Sequence, residues 1–277
     1  AYLYNEKTST LFQLTNHPGR ELFISSDNQL WVSSFDGLYR TSLKGLTPER
    51  AMETVFSGNP WTTSFTEDSF GNIWIGTYRN GTFCFHKNQT PFQKSMSGKN
   101  IECMSTDHSG NYWIGSLNGE VCVLDSTQKQ IMGKTIFPND MIHTICGQES
   151  SNKVWVGTMY GLYEAWIESN KQIVYQKTSG INIPSIRSIV QDSCFLWIAS
   201  YNNGVTLYNY STQQSVVTYK TDSEVLPLPS NTIRTILKDR ENNLWVGTAE
   251  GLVVLNGKER FTSSPILRKF SFATHQN

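Results

Sequence analysis

Six tryptophans recur along this chain at nearly one interval. Trp31, Trp74, Trp113, Trp155, Trp197 and Trp245 are separated by 43, 39, 42, 42 and 48 residues. Each is followed by Val or Ile, a small residue, then Ser or Thr: "WVSS", "WIGT", "WIGS", "WVGT", "WIAS", "WVGT". Six or seven residues beyond each stands a glycine, at Gly37, Gly81, Gly119, Gly161, Gly204 and Gly251. An aspartate precedes five of the six (Asp27, Asp68, Asp107, Asp192 and Asp239), and the fourth copy carries Gln148 and Glu149 instead. Such a period constrains the fold more than any local propensity, because each copy has to be one structural unit.

Each unit reads as four strands. In the copy from Thr232 to Ser263, "TIRTILK", "NLWVGT" and "GLVVLN" are apolar and β-branched, "KERFTS" is a polar outer edge, and no 3.6-residue period appears. The aspartate of "DSFGN" and "DHSGN" suits a tight turn, where its carboxylate accepts bonds from turn N–H groups. The following Gly, or Asn242 in "DRENN", supplies positive φ. The small residue after each Trp lets neighbouring sheets approach closely, and the glycine opening the third strand ends a second tight turn.

A four-stranded sheet of this size cannot bury its own faces. Units of about 40–45 residues with four strands each therefore predict an all-β fold, a β-propeller of four-stranded blades packed face to face. Each Trp then buries roughly 150–250 Å² between blades, roughly 4–6 kcal/mol gross at about 25 cal/mol/Å². Six copies are complete. The ends predict a seventh blade, with "AYLYNEKTSTLFQL" as its third and fourth strands and the tail "RKFSFATHQN" as its inner first strand. Seven blades is the expectation and six the alternative, with residues 1–277 as a single propeller domain.

Composition excludes some classes. Formal charge is balanced and no Lys/Arg cluster stands out, so nucleic acid is not an expected partner. No apolar run approaches the roughly 20 residues of a membrane helix, and no basic-plus-apolar leader opens the chain. A soluble domain, a fragment of something larger, is expected. Five cysteines (Cys84, Cys103, Cys122, Cys146, Cys194) show no CxxC spacing and sit in apolar runs, as buried free thiols do. The five histidines include no pair at metal-ligand spacing, and neither metal nor cofactor is expected.

The run D-x-x-G-N-x-W-[IV]-G-T, with Gly-Leu about six residues after the Trp, resembles the two-component regulator propeller repeat. Asp68–Gly81, Asp107–Gly119 and Asp239–Leu252 carry it, with looser copies around Trp31, Trp155 and Trp197. The resemblance implies a periplasmic sensor region of a hybrid two-component histidine kinase anchored in the inner membrane. In such proteins it is usually one of two seven-bladed propellers followed by a β-sandwich. It further implies a homodimeric parent protein and the sensing of oligosaccharide or polysaccharide fragments.

Ligands of propellers meet the face where second-to-third strand turns converge. The position four after each Trp lies there: Phe35, Tyr78, Leu117, Met159, Tyr201, Ala249. Two of these turns are longer and polar, "YRNG" (Tyr78, Arg79, Asn80) and "YNNG" (Tyr201, Asn202, Asn203). Aromatic rings with amide and guanidinium groups suit a sugar, whose C–H face stacks while its hydroxyls take planar bonds. Asn-Gly is equally plain turn chemistry. Five residues before the aspartate position, in the first strand, stand Leu22, Thr63, Glu102, His143, Arg187 and Arg234. Arg187 and Arg234, in consecutive copies, suit a carboxylate, and the four ionisable groups also suit a structural polar network. Trp61, in a loop between copies, is a further stacking candidate, and Trp166 in a third strand reads as packing.

No GxSxG, HExxH or P-loop is present, and the domain is read as non-enzymatic. A sialidase-like propeller enzyme needs three arginines, and only Arg187 and Arg234 appear at the inner position. A streptogramin-lyase-like one needs His and Glu facing one channel, for which His143 and Glu102 are candidates. A pure protein-interaction or dimerisation module is the third reading.

Overall fold

The computed structural model describes residues 2–5, 10–13, 19–34, 36–44, 52–57, 61–86, 93–95, 99–125, 130–256 and 267–270. All described secondary structure is strand, and the chain divides into two compact units, Ala1–Thr106 and Asp107–Asn277.

In the first unit β1 (Tyr2–Asn5) and β2 (Thr10–Gln13) form an antiparallel pair. β3 (Gly19–Ile24), β4 (Gln29–Ser34), β5 (Gly37–Ser42) and β6 (Glu53–Ser57) make a four-stranded antiparallel sheet in chain order. So do β7 (Thr62–Glu67), β8 (Ile73–Thr77), β9 (Gly81–Phe85) and β10 (Gln93–Ser95). β11 (Ile101–Thr106) lies against β7 and β8.

In the second unit β12 (Tyr112–Ser116), β13 (Glu120–Leu124) and β14 (Gln130–Thr135) pair successively. Three four-stranded sheets follow. The first is β15 (Ile142–Gly147), β16 (Lys153–Thr158), β17 (Gly161–Ile167) and β18 (Ile173–Lys177). The next is β19 (Ile186–Asp192), β20 (Phe195–Ser200), β21 (Gly204–Asn209) and β22 (Gln214–Tyr219). The last is β23 (Ile233–Lys238), β24 (Leu244–Thr248), β25 (Leu252–Leu255) and β26 (Leu267–Phe270).

The four-strand reading of the repeat therefore holds, with two corrections at the C-terminal end. The outer strand of the last sheet is Leu267–Phe270, whereas the expected "KERFTS" segment (258–263) lies outside the described residues. For residues 268–270 the same pairing overturns the tail as an inner first strand, because Phe270 is opposite Leu252 on the outer edge; 271–277 lie outside the described residues. The outer edge of β25 offers a row of backbone N–H and C=O groups, and Leu267–Phe270 pairs with them.

The tryptophans fill the seams between sheets. Trp31 and Leu38 cluster with Ile73 and Ile75 of the next sheet, Trp155 and Leu162 with Ile186, Ile189 and Leu196, and Trp197 with Ile233, Ile236, Leu244 and Val246. Five of the six repeat tryptophans are buried. Trp245 is half-buried. The small residue two after the Trp is what brings the sheets this close. A Cβ on Gly157 would lie 2.5 Å from Ile186 Cγ2 and 2.6 Å from Thr144 Cγ2, and one on Gly76 2.9 Å from Ile101 Cγ2.

The aspartate does more than shape the turn. Asp107 Oδ1 accepts from Asn111 N (3.0 Å), and Oδ2 accepts from Asn111 Nδ2 (2.9 Å) and from the indole Nε1 of Trp113 (2.9 Å). Asp68 does the same with Phe70 N, Asn72 and Trp74 Nε1 (3.2 Å), and Asp239 with Glu241 N, Asn243 and Trp245 Nε1 (2.7 Å). This box needs an aspartate six residues before the Trp. Ser25 and Glu149 occupy that position in the first and fourth copies, and the indole nitrogens of Trp31 and Trp155 are buried without a hydrogen-bond partner among the described residues. The positive φ expected in this turn is found at Gly71 (79°), Gly110 (79°) and Asn242 (64°).

Two substitutions test the scaffold by urea unfolding. Gly157→Ala overpacks a seam and is expected to cost about 1–3 kcal/mol. Asp107→Asn strands buried donors and is expected to cost about 1–3 kcal/mol. Glu53→Gln, which removes only the exposed pair with Arg40 (2.8 Å), should change stability by less than about 1 kcal/mol. Equal midpoints for all three variants would contradict the assignment.

Candidate functional site

The aspartate boxes sit at the turn between the first and second strands of each sheet. The candidate residues sit at the other end. In four sheets the residue four after the Trp donates its N–H to the residue just before the first strand: Tyr78 to Trp61 O (2.9 Å), Met159 to Met141 O (3.1 Å), Tyr201 to Ser185 O (2.9 Å) and Ala249 to Thr232 O (2.9 Å). Second turn and first-strand start are thereby stitched together, and the two sets of sequence candidates share one end of each sheet. Phe35 lies outside the described residues.

Two residues inside each first strand the ladder slips. The register breaks between Thr62 and Ser64, Ile142 and Thr144, Ile186 and Ser188, and Ile233 and Thr235, so Thr63, His143, Arg187 and Arg234 each occupy a β-bulge. A bulge leaves its residue out of the alternation and re-aims its side chain. In the first sheet the break lies between Gly19 and Glu21, which makes Arg20 the equivalent residue. Leu22, expected there from the aspartate spacing, is instead paired with Val32 and exposed. The cause is the place of the aspartate within a turn of unchanged length: the pairs Ile24–Leu30, Glu67–Ile73 and Lys238–Leu244 close equal turns, but Asp27 precedes its Trp by four residues where Asp68, Asp107 and Asp239 precede theirs by six. By register, an arginine therefore stands at the bulge of the first sheet, where the sequence reading placed Leu22.

In the second unit three bulge residues and one turn tyrosine converge. Arg187 Nη1 donates to His143 Nδ1 (3.1 Å). The guanidinium carbons of Arg187 and Arg234 lie 5.4 and 5.7 Å from the centroid of the Tyr201 ring. Each such contact is worth about 0.5–1 kcal/mol where solvent reaches it. Asn202, at φ 67°, accepts from Thr232 Oγ1 (2.5 Å), and Asn203 shares its turn. His143 is almost wholly buried, and burial first, then the Arg187 charge, pulls its pKa down from 6.5 to about 4. The imidazole is thus neutral near pH 7, with Nδ1 free to accept from the guanidinium and the proton on Nε2.

In the first unit Tyr78 packs against Trp61 (ring centroids 5.3 Å apart) and carries Arg79 at 5.4 Å, while Asn80 N donates to Thr77 Oγ1 (3.0 Å). Asn80 is thus engaged in turn formation. Glu102 is half-buried on β11 of this unit. Trp166 lies in the third strand as expected, with Lys153 Nζ 4.8 Å from its ring.

Among the described residues no group of three or more His, Cys, Asp and Glu is arranged to hold a metal. All five cysteines are free, and burial raises Cys84 to about 12 and Cys146 to about 11, which leaves both as thiols at neutral pH.

Comparison with known proteins agrees with this geometry. Residues 56–79 and 227–250 match the family described as two component regulator propeller, and each match covers one aspartate box with its tryptophan. The extracellular domain of a hybrid two component system from B. thetaiotaomicron is 21% identical with a TM-score of 0.61, covering 98% of this chain and 43% of its own length. A virginiamycin B lyase from Staphylococcus aureus is 12% identical with a TM-score of 0.67, covering 94% of this chain and 86% of its own. An auxiliary nutrient binding protein from Bacteroides thetaiotaomicron is 13% identical, TM-score 0.63, covering 84% of this chain and 67% of its own. At these identities the likeness establishes the β-propeller fold. No curated protein matches the chain.

The buried imidazole sets a pH dependence. Because the folded state binds the His143 proton more weakly than the unfolded chain, its contribution is complete above about pH 6.5 and is lost as pH falls through about 4. The loss amounts to at most about 3 kcal/mol. Urea unfolding between pH 4 and 7 should show a component that His143→Gln removes; identical pH profiles would contradict it.

Proposed function

We propose that this chain, a carrier of two component regulator propeller repeats, is an extracytoplasmic sensory domain that binds a ligand without transforming it. The observation that carries this reading is a division of labour between the two ends of the sheets. At one end both oxygens of Asp68, Asp107 and Asp239 are consumed by turn N–H groups and an indole. At the other end Arg187 and Arg234 flank Tyr201 with most of their donors uncommitted. Recognition chemistry is available there, and no nucleophile activated by an adjacent base accompanies it among the described residues.

On this reading the ligand is an oligosaccharide or polysaccharide fragment, and the site comprises Tyr201, Asn202, Asn203, Arg187, Arg234 and His143. Tyr78, Arg79, Asn80 and Glu102 are a separate set of candidates within the first unit. The hybrid two component ectodomain and the nutrient binding protein among the similar folds support this reading. The parent protein would place the domain in the periplasm, anchored in the inner membrane, beside a sister propeller and a β-sandwich and as a homodimer. A signal follows only if the ligand binds two arrangements of these domains with different affinity.

The lyase among the similar folds gives the enzyme reading its specific observation. One experiment separates the readings. The purified chain is titrated calorimetrically with an oligosaccharide panel and assayed for turnover of sialosides and of streptogramin B, with and without divalent metal. Saccharide binding that Tyr201→Ala abolishes while the thermal midpoint is kept, with no turnover, is the expected outcome. Turnover of either substrate, or self-association with no saccharide binding, would overturn it.

A further inference from the structure

We infer that the Arg187–Tyr201–Arg234 cluster recognises an anionic group carried on a saccharide, so that the ligand of this face is an acidic sugar rather than a neutral one. The inference rests on the saccharide-binding reading and names the ligand class. Four observations carry it. Two guanidiniums are gathered on a single phenol ring, at 5.4 and 5.7 Å. Neither has a carboxylate within ion-pairing distance among the described residues. Arg187 Nε is buried and without a hydrogen-bond partner among the described residues, while Nη1 is anchored on a neutral histidine that removes none of the charge. Two buried acids of the second unit are already engaged. Asp140 is buried and takes Met159 N (3.0 Å), and Asp192, at the far end of β19, takes Lys238 Nζ (3.4 Å).

This arrangement changes the role of the tyrosine. A ring that holds two cations is not free to stack a sugar. Its negative face positions the guanidiniums and lowers the cost of their mutual approach. The bulges are what make the convergence possible: in a regular ladder the residue after Ile186 and the residue after Ile233 would keep the ladder's strict alternation. An arginine fork matches the planar oxygens of a carboxylate and accepts a sulfate ester by the same donors, and the sugar attached to either would lie over the Asn202 and Thr232 side chains.

The test is isothermal titration of the 277-residue chain with three probes: a trigalacturonate, a sulfated disaccharide, and a neutral galactose trisaccharide. Inorganic sulfate at equal ionic strength serves as the fourth arm. The expected result is that one acidic saccharide binds at least tenfold more tightly than the neutral one and than inorganic sulfate. Binding should weaken as salt is raised, and should fall on the order of ten- to hundredfold in Arg234→Gln. Arg234 is exposed, so this variant should keep the thermal midpoint; Arg187→Gln should give a similar loss and is read only at temperatures where it is folded. Which acidic probe binds separates carboxylate from sulfate ester. Equal binding of neutral and acidic saccharides would overturn the inference and leave the sensory reading in place. Acidic binding untouched by Arg234→Gln would move the site elsewhere, and inorganic sulfate binding as tightly as any sugar would reduce it to a bare anion site. Absence of binding to every saccharide would overturn both readings.

Discussion

The hydrogen bonds that one buried carboxylate accepts from a turn and from an indole govern this architecture. Asp107 ties the polypeptide between β11 and β12 to the ring that fills the seam, and does so with acceptors that water can no longer reach. The indole gains a partner for an N–H that burial would otherwise leave unmet, and the turn gains a rigid centre. Where the carboxylate is missing, other groups bind the sheets at the same end. Ser26 caps Glu67 from the first sheet to the second with bonds of 2.6 Å. In the second unit Gln191 accepts from Glu149 N (3.2 Å), and Lys238 reaches Asp192.

With its cohesion concentrated in the seams and at one end, each sheet can vary freely at the other. The bulge two residues into the first strand turns that freedom into chemistry, because its occupant changes from Thr63 to His143 to Arg187 to Arg234 without cost to the ladder. Two cations that would repel on a bare surface are held by Tyr201, and the neighbouring imidazole stays neutral because burial and Arg187 both oppose its proton. The net charge of the chain is zero, so the positive character of this face is local.

Much of the fold was legible in the sequence because the residues that make it are periodic. The tryptophans, the glycines after them and the aspartates mark strands and turns whose register follows from sterics and from saturated hydrogen bonds. Legibility failed where spacing and structure part company. Counting from Asp27 led to Leu22, since Asp27 stands two residues later in its turn than the box aspartates; counting back eleven residues from Trp31, as from Trp74 to Thr63 and from Trp245 to Arg234, would have reached Arg20. The last outer strand was assigned to "KERFTS" on polarity, yet Leu267–Phe270 pairs with β25. At the candidate site the residue types were readable, but their pairing was not. The sequence suggested a tyrosine offered to a sugar, whereas the ring carries two guanidiniums, a contact set by bulges that leave no signature in one-dimensional pattern.

The central claim is that indole-filled, carboxylate-braced seams hold the sheets, so that the opposite end is free to recognise a ligand. Hydrogen exchange of the tryptophan indole N–H groups, followed by NMR on the native chain, tests it most directly. The account predicts that the indole protons of Trp74 and Trp113 exchange only with global unfolding, while that of the partly exposed Trp61 and the backbone amides of 79–80 and 202–203 exchange orders of magnitude faster. Exchange of the Trp74 and Trp113 indoles as fast as that of Trp61 would contradict it.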